Sequence, residues 1–382
     1  MAEGVGSGLK LEQKHGKSRV RVSRVWREKD GRDSIVEWSV NISLLSDCIP
    51  AYVSGDNSGI VATDTIKNTV SLITRIRFDV SLLMIVLDLN LSMAEGVGSG
   101  LKLEQKHGKS RVRVSRVWRE KDGRDSIVEW SVNISLLSDC IPAYVSGDNS
   151  AIVATDTIKN TVYVKAKECS ELLSVEDFAI ILGTHFTTFY PHVTAALIKI
   201  VEKSWERVII DGQPHNHGFK LGSDKHTTEV TVRKAGDLHV TSGIEGLALL
   251  KTTQSGFEGF IRDKYTLLPE TRERIVATEV SASWTYPFGY LSHIPVKPLF
   301  FTERYLGVKN LLTKTFFGPP DVGVYSPSVQ STLYFMAKDV LSRFPDIASI
   351  QLRMPNLHFL PVNLQSKDNP TMVKVGSISY WF

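Results

Sequence analysis

The stretch "SIVEWSVNISLL", residues 126–137, decides the fold class because two kinds of side chain alternate along it. Every second residue from Val128 to Leu136 is apolar, and the residues between them are polar. Successive side chains of a strand point to opposite faces, so this alternation predicts a β-strand with one buried and one open face. The preceding stretch "RVRVSRVWRE" (111–120) is the predicted partner strand, joined to it by the turn "KDGRD".

The rest of the chain repeats one order of elements. "SVEDFAIILGTHFTTFY" predicts a helix with Ser174 as its cap and Asp177 as the partner three residues later. A later helix is predicted to begin with Ser326 as its cap and Pro327 in its first turn. The predicted strands are 193–210, 227–235, 237–253, 273–286 and 347–364, and the predicted helices of the second half are 304–317 and 326–344.

Two units of the order ββααββ predict an α+β fold, with antiparallel sheets that carry their helices on one face. Open sheets leave unpaired edge strands. Closing several chains into a barrel removes these edges, so the pattern favours an oligomer.

The chain carries its beginning twice. Residues 1–70 recur as 93–162, and the copies differ only in Gly59 against Ala151. Repeat architectures diverge between units and need at least three units to bury a core, so this duplication is not one of them. We interpret 1–92 as a duplicated start followed by translated non-coding sequence (71–92), and expect the working protein to begin at Met93; the alternative is a regulatory arm. The predicted domains are therefore a non-functional 1–92, a first domain 93–235 and a second domain 236–382.

Composition excludes several classes of protein. The 382 residues carry a formal charge of +4 from 45 basic and 41 acidic side chains, which does not indicate nucleic-acid binding but suits a small anionic ligand. Three cysteines, two of them copies of one position, predict no disulfide framework and a reducing compartment. The most apolar run, 81–91, is too short to cross a membrane and contains Asp88, and no secretory signal opens the chain.

Several polar or aromatic residues lie where propensity does not place them. Arg274 enters a predicted strand whose other residues are mostly apolar, and Phe257 lies in a glycine-flanked loop. Thr155 and Asp156 precede a predicted helical turn whose N–H groups could face an anion. The full set of candidates is Lys109, Thr155, Asp156, Phe257, Arg274, Val329, Gln330, Asn356 and His358.

Each candidate taken alone has a structural alternative. Phe257 could be ordinary core, Arg274 could pair with a surface carboxylate, and Gln330 and Asn356 could satisfy nearby backbone groups. A lone strand histidine such as His358 is more often structural than catalytic, and Lys109 could be a solvated charge.

No metal or nucleotide motif stands out. His215 and His217 share one strand face in "PHNHGF", but no acidic or cysteine ligand follows at a useful spacing, so a surface hairpin is the favoured interpretation. A glycine-rich phosphate or dinucleotide fingerprint is absent from the sequence.

Four motifs taken together resemble the urate oxidase (uricase) family, specifically its plant, legume-type branch. They are "IVATDTIKNTVY", "LLKTTQSGFEGFIRDKYTLLPETRER", "GVYSPSVQ" and "MPNLHFLPVN", and the resemblance covers about residues 103–370. It implies a tandem T-fold that forms a tunnel, a homotetramer with active sites between subunits, and no metal or organic cofactor. The implied reaction is the oxidation of urate by O2 to 5-hydroxyisourate and hydrogen peroxide in purine catabolism, an oxidation at C–N bonds.

The resemblance also implies roles for the substrate-binding residues. Arg274 and Gln330 would grip the edge of urate, Phe257 would stack on the purine plane, and Val329 would offer a backbone contact. These roles suit the chemistry, because a guanidinium meets a planar anion as a fork, an amide reads a lactam, and a flat ring orients a flat substrate. Asn356 would help to hold O2 or water above the ring.

Two further substrate-binding residues, Thr155 and Asp156, are implied to reach the site from a neighbouring subunit. Lys109, Thr155 and His358 would form the proton relay. The copies of these residues in the first segment, Lys17, Thr63 and Asp64, are expected to be idle because that copy lacks the body of the fold.

The end of the chain departs from the family. Members usually close with a Ser-Lys-Leu peroxisomal address, whereas this chain stops at "VKVGSISYWF", so a peroxisomal location is the family expectation only. Two alternatives remain for function: a catalytically disabled relative that binds purines or acts as a scaffold, and a pterin-type cyclohydrolase of the same fold, which would need zinc ligands.

Overall fold

The computed structural model describes residues 14–27, 33–45, 106–140, 142–143, 146–366 and 369–379, with side chains between 106 and 357. The early copy forms a two-stranded antiparallel sheet of β1 (Lys14–Arg27) and β2 (Asp33–Leu45). The predicted non-coding insert, 71–92, lies outside the described residues.

The remaining elements form one sheet with helices packed against it. The strands are β3 Lys106–Arg119, β4 Asp125–Ser138, β5 Val193–Ile210, β6 Gln213–Arg233, β7 Leu238–Lys251, β8 Val276–Thr285, β9 Ser349–Arg353, β10 Asn356–Ser366 and β11 Asn369–Ser379. The helices are α1 Thr155–Glu168, α2 Val175–Phe189, α3 Phe300–Phe317 and α4 Val329–Arg343. No described helix has the length and apolar character needed to span a bilayer.

The sheet is antiparallel throughout its described strands. Its order is β11-β10-β8-β7-β6-β5-β4-β3, and β9 pairs with β8 beside β10. Both halves of the chain therefore contribute to one continuous sheet, joined where β6 pairs with β7. The predicted α+β class with an antiparallel sheet is confirmed, while the boundaries of the two domains stay a prediction.

The core lies between the sheet and the helices. The strand predicted from alternation, β4, buries the face that carries Trp130, Val132 and Leu136. The Trp130 ring stacks on Phe178 of α2 with ring centroids 4.5 Å apart. Burying an aromatic side chain of this kind contributes roughly 2–3 kcal/mol, so the buried face of β4 helps to hold α2 against the sheet.

Helix beginnings were predicted correctly in one case and wrongly in another. Ser174 caps α2 as predicted, with its hydroxyl accepting the Asp177 N–H at 3.0 Å. Ser326 does not cap α4, because Ser328 does, accepting the Ser331 N–H at 3.0 Å. The Ser326 hydroxyl is already engaged by the side chains of Lys251 and Thr332, which is why the helix begins later.

Other predicted elements differ in extent. The strand predicted over 227–235 runs from Gln213 to Arg233, and the helix predicted over 304–317 begins at Phe300. The strand predicted over 273–286 begins at Val276, so Arg274 lies in the loop before it and not in the strand. The predicted strand 347–364 is divided into β9 and β10 at Met354 and Pro355, because proline lacks the N–H that would continue the ladder. Thr155 and Asp156 do not precede the helical turn but form its first two residues. Their backbone N–H groups therefore belong to the unsatisfied first turn of α1 itself.

Candidate active site

One group of candidates surrounds Arg274, in the loop between β7 and β8. The Arg274 backbone N–H donates to the Ser255 carbonyl at 2.9 Å, and its Nε lies 3.4 Å from the Ser255 hydroxyl. The guanidinium carbon lies 5.4 Å from the centroid of the Phe257 ring. The structure thus brings Arg274 and Phe257 together although 16 residues of sequence separate them.

The plane of Phe257 is held by its neighbours. Its backbone pairs with Thr271, and Phe260 stacks on its ring with centroids 4.6 Å apart and planes 9° apart. In the single chain Phe257 is only 8% exposed, which fits the core alternative as well as a stacking platform. Its contact with substrate therefore stays a prediction.

The start of α4 joins the same group. Ser326 pairs in parallel with Ser255: its N–H donates to the Gln254 carbonyl, and its carbonyl accepts from Gly256, both at 2.9 Å. Val329 and Gln330 follow as the first two residues of α4, and both are half-buried. The first N–H groups of a helix lack partners within the helix and favour anions, so this turn has the polarity that an anionic ligand needs.

Gly256 allows these two segments to approach. A Cβ at this position would collide with the Tyr325 hydroxyl and would lie 2.8 Å from the Thr271 carbonyl oxygen. Only glycine leaves this space, so the glycine before Phe257 has a packing reason.

Arg274 is a half-buried cation without a carboxylate partner among the described residues. Burial lowers the pKa of its guanidinium, and the nearby Tyr325 acts in the opposite direction. A guanidinium remains charged in proteins, so this one is available to an external anion. The alternative in which Arg274 pairs with a surface carboxylate is not what the described part of the chain shows.

Asn356, predicted to complete this group, lies on β10. It lies opposite Thr278 of β8, four residues beyond Arg274 in sequence, and it is half-buried. His358 lies two residues further along β10, and its backbone pairs with Ser379. Its side chain lies outside the described residues, so its predicted role in the relay stays a prediction.

We call this group of residues the arginine cluster: Ser255, Phe257, Arg274, Ser326, Val329, Gln330 and Asn356.

The other candidates form a second group at β3 and α1, which we call the lysine cluster: Lys109, Thr155 and Asp156. All three side chains are exposed. Lys159 holds the pKa of the Asp156 carboxyl below its usual range through a 2.7 Å hydrogen bond, and the charge of Lys109 lowers that pKa further. β3 and α1 are in direct contact, so Lys109 and the first turn of α1 lie on neighbouring elements.

Local features of β3 hold Lys109 in this position. A register shift follows Lys109 in the β3–β4 ladder, and Arg111 adopts a left-handed φ of 56° there. Such bulges re-aim the side chains beside them. Gly108 has no room for a side chain, because a Cβ would collide with the Ile134 carbonyl oxygen. His107, 3.1 Å from the Val153 carbonyl oxygen, ties β3 to the start of α1.

The two clusters are far apart within one chain. β8 and β3 are separated by five steps in the strand order, and adjacent strands lie about 4.8 Å apart, so the path along the sheet is about 24 Å. One purine is much shorter than this path. Within one chain the two clusters are therefore too far apart to contact one purine together.

Sequence reasoning missed several residues that organise the arginine cluster. Lys251 bonds the Ser326 hydroxyl, Ser255 contacts Arg274, and Tyr325 donates to the Arg272 carbonyl beside the cluster. Ser326 was predicted only as a helix cap. Their only sequence signal was their place inside the motifs, since a lysine at a strand end and serines in a loop are common. Burial lowers the pKa of Lys251 to about 8, which would have singled it out had its burial been evident.

Metal ligands do not gather in the described part of the chain, where no group of three or more His, Cys, Asp or Glu residues could hold an ion. His217 does meet an acidic residue, Asp125, at 3.2 Å, but at an exposed position.

Comparison with known proteins places the chain in a family. The uricase family model matches residues 105–231 and 240–377. The chain belongs to the uricase family.

Plant uricases are among its similar relatives. It is 66% identical to uricase-2 of Phaseolus vulgaris over 278 residues, which cover 73% of this chain and 90% of that protein. It is 65% identical to the uricase of Arabidopsis thaliana, with 72% and 89% covered. The uricase of Aspergillus flavus is 38% identical over 68% of this chain and 85% of that protein.

A solved uricase shares the fold. The crystal structure of the uricase from Arthrobacter globiformis matches with a TM-score of 0.63 and 34% identity, covering 73% of this chain and 90% of that one. The predicted T-fold of this family therefore holds for the chain.

Proposed function

We propose that this chain is a urate oxidase that converts urate and O2 to 5-hydroxyisourate and hydrogen peroxide. Balance requires one water, which supplies the added hydroxyl oxygen. The observation that carries the proposal is its 65–67% identity to plant uricases along about nine-tenths of their length. The arginine cluster adds a guanidinium that has no carboxylate partner among the described residues and lies beside an aromatic ring, which suits a flat anion.

Substrate binding would rest on the arginine cluster. The fork of Arg274 would meet the oxygen and nitrogen edge of urate, and the Gln330 amide would supply one donor and one acceptor to the same edge. The N–H groups in the first turn of α4 would add a donor from Val329. The Phe257 ring would align the purine plane by stacking on it, and the stacked Phe260 ring would hold the Phe257 ring in its orientation.

Proton removal would rest on the lysine cluster. Urate is already an anion, so a second proton leaves only if a base is held against it. The neutral amine of Lys109 would take this proton through the Thr155 hydroxyl, with Asp156 orienting the turn. Contact with a second copy would take Lys109 out of water, and burial favours the neutral amine. Asn356 would hold O2 or water over the ring, and His358 would extend the relay.

We propose that the two clusters meet between copies of the chain, in a homotetramer. Their separation by four intervening strands supports this arrangement, since a partner that brings its β3 to this chain's β8 would complete a site. Pairing of the strands at the two ends of the order, β3 and β11, with other copies would also cover the edges of an open sheet. Sedimentation of the full chain should give four copies per particle.

The test is oxidation of urate by the purified full chain without added metal or cofactor. We expect loss of urate with one peroxide released per urate consumed, and a loss of about a thousandfold in kcat/KM for Arg274→Met. Urate binding without peroxide would favour the disabled scaffold instead. Absence of both binding and turnover in a folded chain would refute the proposal.

We also propose a peroxisomal location, on the resemblance to the family. A fluorescent protein fused to the N-terminus of the full chain, imaged with a peroxisomal marker, tests it. A diffuse signal would contradict it.

A further inference from the structure

Lys251 lies under the arginine cluster without belonging to it. It is the last residue of β7, two residues after the buried Leu249 and opposite the buried Val276 of β8. Side chains two apart share a face of a strand, so Lys251 faces the helices and is half-buried there.

The Lys251 ammonium reaches three acceptors. Its Nζ lies 2.8 Å from the Val324 carbonyl oxygen, 2.7 Å from the Ser326 hydroxyl and 3.3 Å from the Phe316 carbonyl oxygen. An ammonium has three N–H donors, so all of them are used. None of these acceptors is a carboxylate, so Lys251 joins backbone segments rather than neutralising a charge.

These acceptors belong to two segments that must be held together. Phe316 lies in the last turn of α3, where free carbonyls and the helix dipole favour a cation. Val324 and Ser326 belong to the connection that leads from α3 into α4. A single side chain thus ties the end of one helix to the approach of the next.

Ser326 passes this constraint to the substrate-binding groups. Its backbone pairs with the Gln254–Gly256 segment, and the Ser255 carbonyl there accepts the Arg274 N–H. On its other side, two residues lead to the Ser328 cap and then to Val329 and Gln330. The loop that carries Arg274 and the first turn of α4 are therefore both connected to Ser326, whose hydroxyl Lys251 bonds.

We propose that Lys251 is a positioning residue for substrate binding, which holds the loop of Arg274 and the first turn of α4 at their mutual spacing. The inference rests on the proposed function. It concerns the arginine cluster that would bind urate and not the lysine cluster that would remove the proton. Loss of the Lys251 side chain should therefore weaken urate binding more than it slows the chemical step.

The test compares Lys251→Met with a matched lysine in the same domain. We expect KM for urate to rise about tenfold in Lys251→Met, while kcat stays within about threefold of the parent. Lys251→Arg keeps the charge and the donors and should recover most of the affinity. Lys309→Met is the control, because Lys309 of α3 bonds Asp224 at 2.8 Å in the core and should lower the Tm without changing KM.

A double-mutant cycle tests the connection through Ser326. If Lys251 acts through the Ser326 hydroxyl, Ser326→Ala should raise KM by itself but add little to Lys251→Met. Fully additive effects would overturn the proposed route.

Amide hydrogen exchange separates this inference from the proposed function, since it needs no urate. The N–H groups of Gly256, Ser326 and Arg274 should exchange faster in Lys251→Met than in the parent or in Lys309→Met. Failure of the parent to oxidise urate would refute the proposed function alone. Unchanged exchange and unchanged KM in a folded Lys251→Met chain would refute the positioning role.

Discussion

Mixing two inactive variants tests whether one site is built from two chains. Lys109→Met damages only the lysine cluster, and Arg274→Met damages only the arginine cluster. The clusters lie about 24 Å apart along the sheet, so neither substitution reaches the other cluster. Each variant alone should be close to inactive, because every site contains one damaged cluster.

The expected recovery follows from counting. If each site takes its two clusters from different chains, an equal mixture gives an intact lysine cluster in half of the sites. Independently, half of the sites receive an intact arginine cluster. Roughly one quarter of all sites should be complete, and the mixture should recover roughly one quarter of the parent rate.

The assay is peroxide release from urate after co-expression, or after the two variants are unfolded and refolded together. The control mixes Lys109→Met with Thr155→Ala, since both changes damage the same cluster and no mixture restores it. Activity of the first mixture that stays at the level of the single variants, in particles shown to contain both chains, would refute a shared site.

Other predictions concern individual residues. Thr155→Ala should abolish most turnover, while Thr63→Ala in the duplicated start should leave the rate of urate oxidation unchanged; full activity of the former would overturn its assignment. Gly256→Ala should lower the Tm and raise KM, because the new Cβ meets the Tyr325 hydroxyl, at a cost of about 2–3 kcal/mol in unfolding free energy; an unchanged urea midpoint would contradict this. Burial raises the pKa of Glu202 to about 7, so the folded chain keeps a proton that the unfolded chain loses above its ordinary value of 4.5, and stability falls as pH rises between these values. Relative to Glu202→Gln, the parent should lose about 3 kcal/mol between pH 4 and pH 8 in urea unfolding, and parallel stability curves would refute this.

Strands and their pairing were largely readable from local pattern. The alternation in 126–137 predicted β4 and its buried face, and the same hairpin forms in both copies of the segment, with equivalent registers such as Lys14↔Leu45 and Lys106↔Leu137. Identical local sequence gives the same pairing because turn and alternation together define a hairpin register. The cap at Ser174 was predictable for the same local reason.

Predictions failed where a distant residue competed for a local group. Ser326 has the sequence of a helix cap, but Lys251, 75 residues away, and Thr332 engage its hydroxyl, so Ser328 caps instead. The strand predicted over 347–364 failed for a local reason instead, since Pro355 divides it into β9 and β10, which pair with different parts of β8.

By itself, the sequence determined the class of the fold, the alternating faces of its strands and, through its motifs, the family and the residues to suspect. Those properties depend on residues a few positions apart in the sequence, or on residue types that together form a recognisable motif. Only the tertiary structure decided that the candidate residues divide into two groups and that Arg274 is a cation without a carboxylate partner in the described chain. It also decided that Lys251 lies beneath the loops that would bind substrate. These facts depend on which buried groups meet across the sheet. The strength of a hydrogen bond or the pKa of a charged group is determined by partners that are distant in the sequence.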